Sequence, residues 1–159
     1  MKISVAIPTR NGARYLAEAL QSIGSQTRLP DEVVISDDDS SDETYGLSVD
    51  FGRSTPFTVN VHRHVPAGIT ANYLHALERT TGDIVAFSDQ DDVWLPDKLA
   101  KIESAFATHP EASIVSSDSA IVDEYLRPTG ATLRKDFARS QVVTAAVNAG
   151  NDIQGLIRG

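Results

Sequence analysis

The sequence predicts an α/β fold, a mostly parallel sheet with helices on both faces. Three observations carry this expectation. Short apolar runs of strand length alternate along the first half with segments whose apolar residues recur at helical spacing. Runs such as Ile84-Val85-Ala86-Phe87 read as buried strands, as expected where helices cover a parallel sheet. Three polar segments, two of them acidic, follow such runs directly, and parallel strands bring all three to one edge.

Taken in order, Ile3 to Ile7 is strand-like, and Asn11-Gly12 offers a cap and a turn. Tyr15, Leu16, Ala19, Leu20 and Ile23 share a helical face, which Gly24 is placed to end. Leu29-Pro30-Asp31 is a turn before the strand Val33-Val34-Ile35, and a polar acidic loop runs from Ser36 to Thr44. Residues Asp50 to Pro56 contain Gly and Pro and are expected to be irregular, whereas Phe57 to His62 alternates like a third strand. A helix is expected from Thr70 to Leu77, then the strand Ile84 to Phe87, an acidic loop, and a helix from Pro96 carrying Leu99, Ile102 and Phe106 on one face. Ser113 to Ser116 is the expected fifth strand, and Gln141 to Val147 an expected helix, while Ala120 to Tyr125 is ambiguous. With no repeat or linker, residues 1–159 read as a single domain.

Composition bounds the function. With 41% apolar and 23% charged residues the chain is globular. A net charge of -8, from 14 basic and 22 acidic residues, argues against nucleic acid as a partner. It does not argue against a phosphorylated small molecule, because a bound divalent ion reverses the local sign. The absence of cysteine excludes disulfides and thiol chemistry. No segment approaches a membrane span, so the expected location is cytoplasmic, with room for peripheral association at the inner face of a membrane.

The chemistry is expected at the three strand-end segments Thr9 to Gly12, Asp37 to Ser40 and Asp89 to Asp92. In an extended segment alternate side chains share a face, so Asp89 and Asp91 should point together and Gln90 away. Two hard oxygen ligands on one side form half of a site for Mg²⁺ or Mn²⁺. The bland alternative is a solvated acidic loop ahead of the helix at Pro96. Asp92 and Asp97 read as helix-start residues and Trp94 as packing under the loop. His62 and His64 alternate on one strand face, lack a third ligand in reach, and read as surface residues, while His75 and His109 carry no signal.

Four ordered motifs together resemble the inverting glycosyltransferases of family 2, which have the GT-A fold. Ser4-Val5-Ala6-Ile7-Pro8-Thr9-Arg10-Asn11-Gly12 is similar to that family's opening strand and loop, and Leu20 to Thr27 to its first helix with the trailing Gln-Thr. Asp31 to Asp42 is similar to its second strand and nucleotide-binding loop. Asp89-Gln90-Asp91-Asp92-Val93-Trp94 resembles the D-x-D segment of its rhamnosyltransferase-like branch. The resemblance implies a Rossmann-like GT-A sheet and a donor-nucleotide site at Pro8, Thr9, Arg10, Asn11, Asp38 and Asp89. Within it, Asp38 would accept the imide N–H of uracil or thymine, and Asp91 with Asp89 would hold the divalent metal. It further implies a UDP- or dTDP-sugar as donor and a saccharide or lipid-linked acceptor in cell-surface polysaccharide synthesis.

Arg10 stands where an aromatic residue commonly meets the base, and Asp39 where Gly is usual. Members of the family run well past this length, so the acceptor-side part is expected to be missing and the chain truncated at its C-terminus. The general base is expected in that later part, and the catalytic residue is unknown; Asp152 is a candidate only by position. Two rival readings remain: a truncated nucleotide-sugar-binding domain without turnover, and Mg²⁺-dependent phosphoryl transfer, which would need a lysine at the acidic edge.

Overall fold

The computed structural model describes residues 1–132 and 154–158. The chain divides into two compact units, one of residues 1–25 and 29–91, the other of residues 26–28 and 92–159.

The first unit runs β1 (Ile3–Thr9), α1 (Ala13–Gly24), β2 (Glu32–Asp37), α2 (Thr44–Ser54), β3 (Thr58–Arg63), α3 (Ile69–Leu77) and β4 (Ile84–Phe87). All four strands are parallel, in the order β3-β2-β1-β4. β1 and β2 are buried along their whole length, which is why their centres are apolar, with polar residues confined to Ser4 and the strand ends. From β1 the chain steps outward to β2 and β3, then returns to the other side of β1 as β4. The order therefore reverses between β1 and β4, the point at which open α/β sheets form a crevice outside their carboxyl ends. Register fixes what meets at that edge: Thr9 lies opposite Asp37, and Asp37 opposite Arg63. α3 lies over the sheet through Ala76, which joins Ala6 and Val34 in a fully buried cluster flanked by Val85.

The second unit contains β5 (Val93–Trp94), α4 (Lys98–Thr108), β6 (Asp118–Val122), β7 (Pro128–Thr132) and β8 (Gln154–Arg158). Its sheet has the order β5-β8-β6-β7, with β8 parallel to β6 and antiparallel to β5. Residues 26–28 belong here because Gln26 ties down the start of α4: its Nε2 donates to the Leu95 carbonyl at 2.8 Å, and its Oε1 accepts the Leu99 N–H at 3.0 Å. Trp94 is buried, as expected, with the Lys98 ammonium 4.3 Å from its ring centroid. Asp97 stands at the start of α4 and pairs with Lys101 at 2.9 Å.

Three expectations change. The stretch thought irregular is the second half of α2, whose inward side carries Thr44 and Ser48 rather than large apolar residues. Gly52, the residue that suggested irregularity, is what lets α2 approach β3, since a Cβ there would stand 3.2 Å from Val59 Cβ. No strand forms over Ser113 to Ser116: β5 precedes that stretch and the strand after it is β6, which has partners on both sides, whereas Ile114 is exposed. Finally, the N-cap of α1 falls on Gly12, within the expected Asn11-Gly12 pair, but no side chain there bonds the helix. The first N–H groups are met from the chain around residue 42, with Ala13 N–H donating to Asp42 Oδ2 at 3.1 Å and Gly12 N–H to Thr44 Oγ1 at 2.8 Å. The helix expected over 141–147 lies outside the described residues.

Glu32, buried at the start of β2, accepts hydrogen bonds from Ser4 Oγ at 2.5 Å, from Thr81 Oγ1 at 2.9 Å and from the Thr81 N–H. Burial alone would raise its pKa, but these bonds and the Lys2 charge outweigh it and hold the carboxyl below its usual range. A carboxyl depressed in the folded state stabilises the fold fully above its unfolded value of about 4.3 and loses that contribution as pH falls through the folded value. Glu32→Gln should therefore flatten the acid limb of stability measured by urea denaturation between about pH 5 and pH 2. Glu32→Ala, which strands the three donors, should cost about 1–3 kcal/mol at neutral pH.

Candidate functional site

A cavity of about 360 Å³ opens at the carboxyl edge of the first unit's sheet. The end of β1 supplies Pro8, Thr9 and Arg10; the residue after β2 supplies Asp38; the start of α3 supplies Gly68, Ile69, Asn72 and Tyr73; and the loop after β4 supplies Asp89, Gln90 and Asp91. The three strand ends singled out in the sequence thus converge on one cavity.

Its foundation is Asp37, which is fully buried. The carboxylate accepts Thr9 Oγ1 at 3.2 Å, Ser40 N–H at 3.0 Å and Ser40 Oγ at 2.5 Å, with Arg63 Nε 3.6 Å away. Arg63 also donates to the Ser40 carbonyl at 2.6 Å and pairs with Asp39 at 2.9 Å, so it closes the turn after β2. That turn needs a left-handed residue, and Asp39 takes it with φ 57°.

Asp38, 2% exposed, faces the other way. It accepts the Ala67 N–H at 2.7 Å, the Gly68 N–H at 3.2 Å and Arg10 Nη1 at 2.9 Å. Burial opposes its ionisation, yet those donors and the Arg10 charge prevail and keep its pKa below the usual aspartate value. Asp38 is therefore a carboxylate at neutral pH and pins the chain between β3 and α3 to the cavity rim.

Gln90 does not point away. Residues 88–91 leave the extended conformation after β4, so strict alternation does not apply. The Gln90 amide instead grips the Arg10 backbone at both of its groups, accepting the N–H at 2.9 Å and donating to the carbonyl at 3.2 Å. Gly12 makes room for this amide, since a Cβ there would lie 2.2 Å from Gln90 Oε1. Asp89 accepts the Tyr73 hydroxyl, and the Tyr73 ring meets Phe87 edge-on with centroids 5.6 Å apart.

Of the residues expected at the site, Pro8, Thr9, Arg10, Asp38, Asp89 and Asp91 line the cavity. Asn11 does not; its Oδ1 accepts the Ser41 N–H at 2.9 Å and its backbone is left-handed at φ 47°. Sequence reasoning missed the α3 wall, whose signal was limited to an unremarkable polar helix start. His62 and His64, read as surface residues, are half-buried, and so is His75, which carried no signal in the sequence. The rings of His64 and His75 are 4.1 Å apart, His75 Nδ1 is 2.8 Å from Ser36 Oγ, and His64 Nδ1 is 3.7 Å from Asp38 Oδ1. Burial, first, and the neighbouring positive charge of Arg79 lower the pKa of both His62 and His75. Among the described residues no group of three or more His, Cys, Asp or Glu side chains is arranged to hold a metal ion. Asp89 and Asp91 on one cavity wall suit a Mg²⁺-type ion that takes one or two carboxylates and completes its shell with ligand phosphates and water.

The sequence profile described as glycosyl transferase family 2 matches residues 4–152. An uncharacterized glycosyltransferase of Nostoc sp. is 37% identical over 108 residues, covering 68% of this chain and 34% of that protein. A dTDP-rhamnosyl transferase of Shigella flexneri is 33% identical over 96 residues, covering 57% of this chain and 33% of that protein. Among solved structures, residues 1–349 of S. aureus TarS in complex with UDP superpose with a TM-score of 0.63 at 29% identity, covering 78% of this chain and 36% of that one. A mannosyltransferase of Pyrobaculum calidifontis in complex with GDP-Man and Mn²⁺ gives a TM-score of 0.62 at 26% identity, covering 77% and 36%. The chain spans about a third of the length of each of these relatives and solved chains. The fold is that of the GT-A glycosyltransferases.

The Gly12–Gln90 contact has an energetic signature. Gly12→Ala should lose about 1–3 kcal/mol in urea denaturation, because the new methyl group would push the Gln90 amide off its two bonds to the Arg10 backbone. In a Gln90→Ala background the same change should cost well under half as much, a coupling readable by double-mutant cycle.

Proposed function

The chain belongs to glycosyl transferase family 2, and from that premise we propose that its cavity binds a nucleoside diphosphate sugar whose glycosyl group passes to a saccharide or lipid-linked acceptor. The observation that carries this reading is the convergence of Thr9, Asp38, Asp89 and Asp91 on one cavity at the point where strand order reverses. The donor is read as a UDP- or dTDP-sugar. In support, the S. aureus relative is solved with UDP and the Shigella relative is named for dTDP-rhamnosyl transfer.

In this reading Pro8 and Thr9 border the nucleoside, and Asp38 accepts the imide N–H of the base, which its ionised state favours. Asp89 lies beside the ribose and diphosphate, its carboxylate oriented by the Tyr73 hydroxyl. A divalent ion held by Asp91 and Asp89 would offset the charge that gathers on the departing diphosphate. The Mn²⁺ in the Pyrobaculum relative supports that cofactor. An acceptor hydroxyl would attack the anomeric carbon from the face opposite the diphosphate and invert it. Asp152, weighed as a base on position alone, lies outside the described residues, and no residue is assigned that role. The chain is read as the donor-binding part of the enzyme, and the product as cell-surface polysaccharide made at the cytoplasmic face of a membrane. Phosphoryl transfer through a phosphoaspartate is disfavoured, because among the described residues none that lines the cavity is a lysine able to balance the phosphoryl group.

Calorimetry with UDP and dTDP tests the reading. Affinity should rise at least tenfold (about 1.4 kcal/mol) on adding Mn²⁺. Asp91→Ala should abolish that increment while leaving the metal-free affinity near its starting value. Equal affinity with and without Mn²⁺ in the unaltered chain rules out the metal bridge.

A further inference from the structure

The base-recognising end of the cavity is already in use. Asp38 Oδ2 accepts both the Gly68 N–H and Arg10 Nη1, while Oδ1 is taken by the Ala67 N–H with His64 close by. The two backbone donors belong to the fixed rim, so the position that can be vacated is the one Arg10 holds. Arg10 is unusual in how it is held. Its backbone is gripped at both polar groups by Gln90, yet its side chain is 51% exposed while its partner Asp38 is 2% exposed. A residue with a clamped backbone and a solvent-facing side chain can rotate its guanidinium without disturbing the loop.

We infer that Arg10 is a specificity-determining gate: its guanidinium occupies the Asp38 carboxylate and must be displaced by a base N–H for the nucleoside to bind. This inference rests on the reading that the base sits against Asp38. The exchange is selective by chemistry. A base edge that offers an N–H replaces the lost donor, whereas an edge that offers only acceptors leaves a buried carboxylate short of a partner and repels it. The displaced guanidinium is released toward solvent at the cavity mouth, where it remains available to stack on the base plane or meet the diphosphate.

The gate has a signature in ionic strength that other roles for Arg10 lack. Uridine is neutral, so its binding to a plain pocket should not respond to salt. Here each binding event breaks a half-exposed ion pair, which salt weakens. Uridine titrations followed by amide NMR in about 0.02 M and about 0.5 M NaCl should therefore show affinity rising about two- to fivefold with salt. Arg10→Met, which keeps the apolar stem, should bind uridine about three- to tenfold more tightly at low salt and show no salt response. Arg10→Lys should restore the response, which guards against a folding artefact in the methionine variant.

A flat salt profile in the unaltered chain, or an Arg10→Met variant that binds no better, overturns the gate. So does failure of both chains to bind uridine at all. Asp38→Ala, which removes the acceptor altogether, separates the two levels: if it binds uridine as the parent does, the placement of the base against Asp38 fails. If it loses binding while Arg10→Met changes nothing, only the gate fails.

Discussion

A carboxylate shut away from water must find its donors inside the protein, and Asp37 organises the cavity edge by doing so. Its donors come from the end of β1, the turn after β2 and the end of β3. Satisfying one buried anion therefore fixes where three consecutive segments can lie. An orphaned charge at this depth would cost several kcal/mol, so the arrangement is held by the penalty for leaving it rather than by the net strength of any bond. Asp38 can then face the opposite way because its neighbour has already anchored the strand end.

Much of this was legible in the sequence. β1 and β2 announced themselves through the apolar runs of strands buried along their length, β4 through its short apolar run although Phe87 at its end is exposed, and α1 because its buried face repeats at helical spacing. The acidic segments after β2 and β4 could be placed at one edge from topology alone. What escaped depends on partners distant in sequence. α2 buries Thr44 and Ser48, so hydrophobic periodicity had nothing to report. β6 and the apolar pair at Ile114-Val115 are equally strand-like in composition, and the choice falls to pairing with β7 and β8.

The cavity shows the same division. Residues that carry charge into it were found, since an acidic cluster at a strand end is a conspicuous expense. Its α3 wall was not found, because Gly68, Ile69, Asn72 and Tyr73 acquire meaning only when the crossover lays them beside the β1 end. Gln90 was misplaced by applying strand alternation past the last paired residue. His62 and His64 were judged on their own strand, whereas the partners of His64, Asn72 and Asp38, come from elsewhere.

The way Asn11 and Gly12 are held bears on how the protein ages. In a free chain an Asn-Gly step is prone to deamidation, because the glycine nitrogen swings onto the asparagine side-chain carbonyl and closes a succinimide ring. Here both reacting groups are committed elsewhere. The Gly12 N–H is donated to Thr44 Oγ1 at 2.8 Å, and the Asn11 carbonyl oxygen accepts the Ser41 N–H at 2.9 Å. The ring cannot close without first breaking the contacts that cap α1 and tie the two strand-end loops together. The same bonds that shape the rim of the cavity thus protect it from slow chemical damage, and loss of that protection would register the opening of this corner long before the fold as a whole gave way.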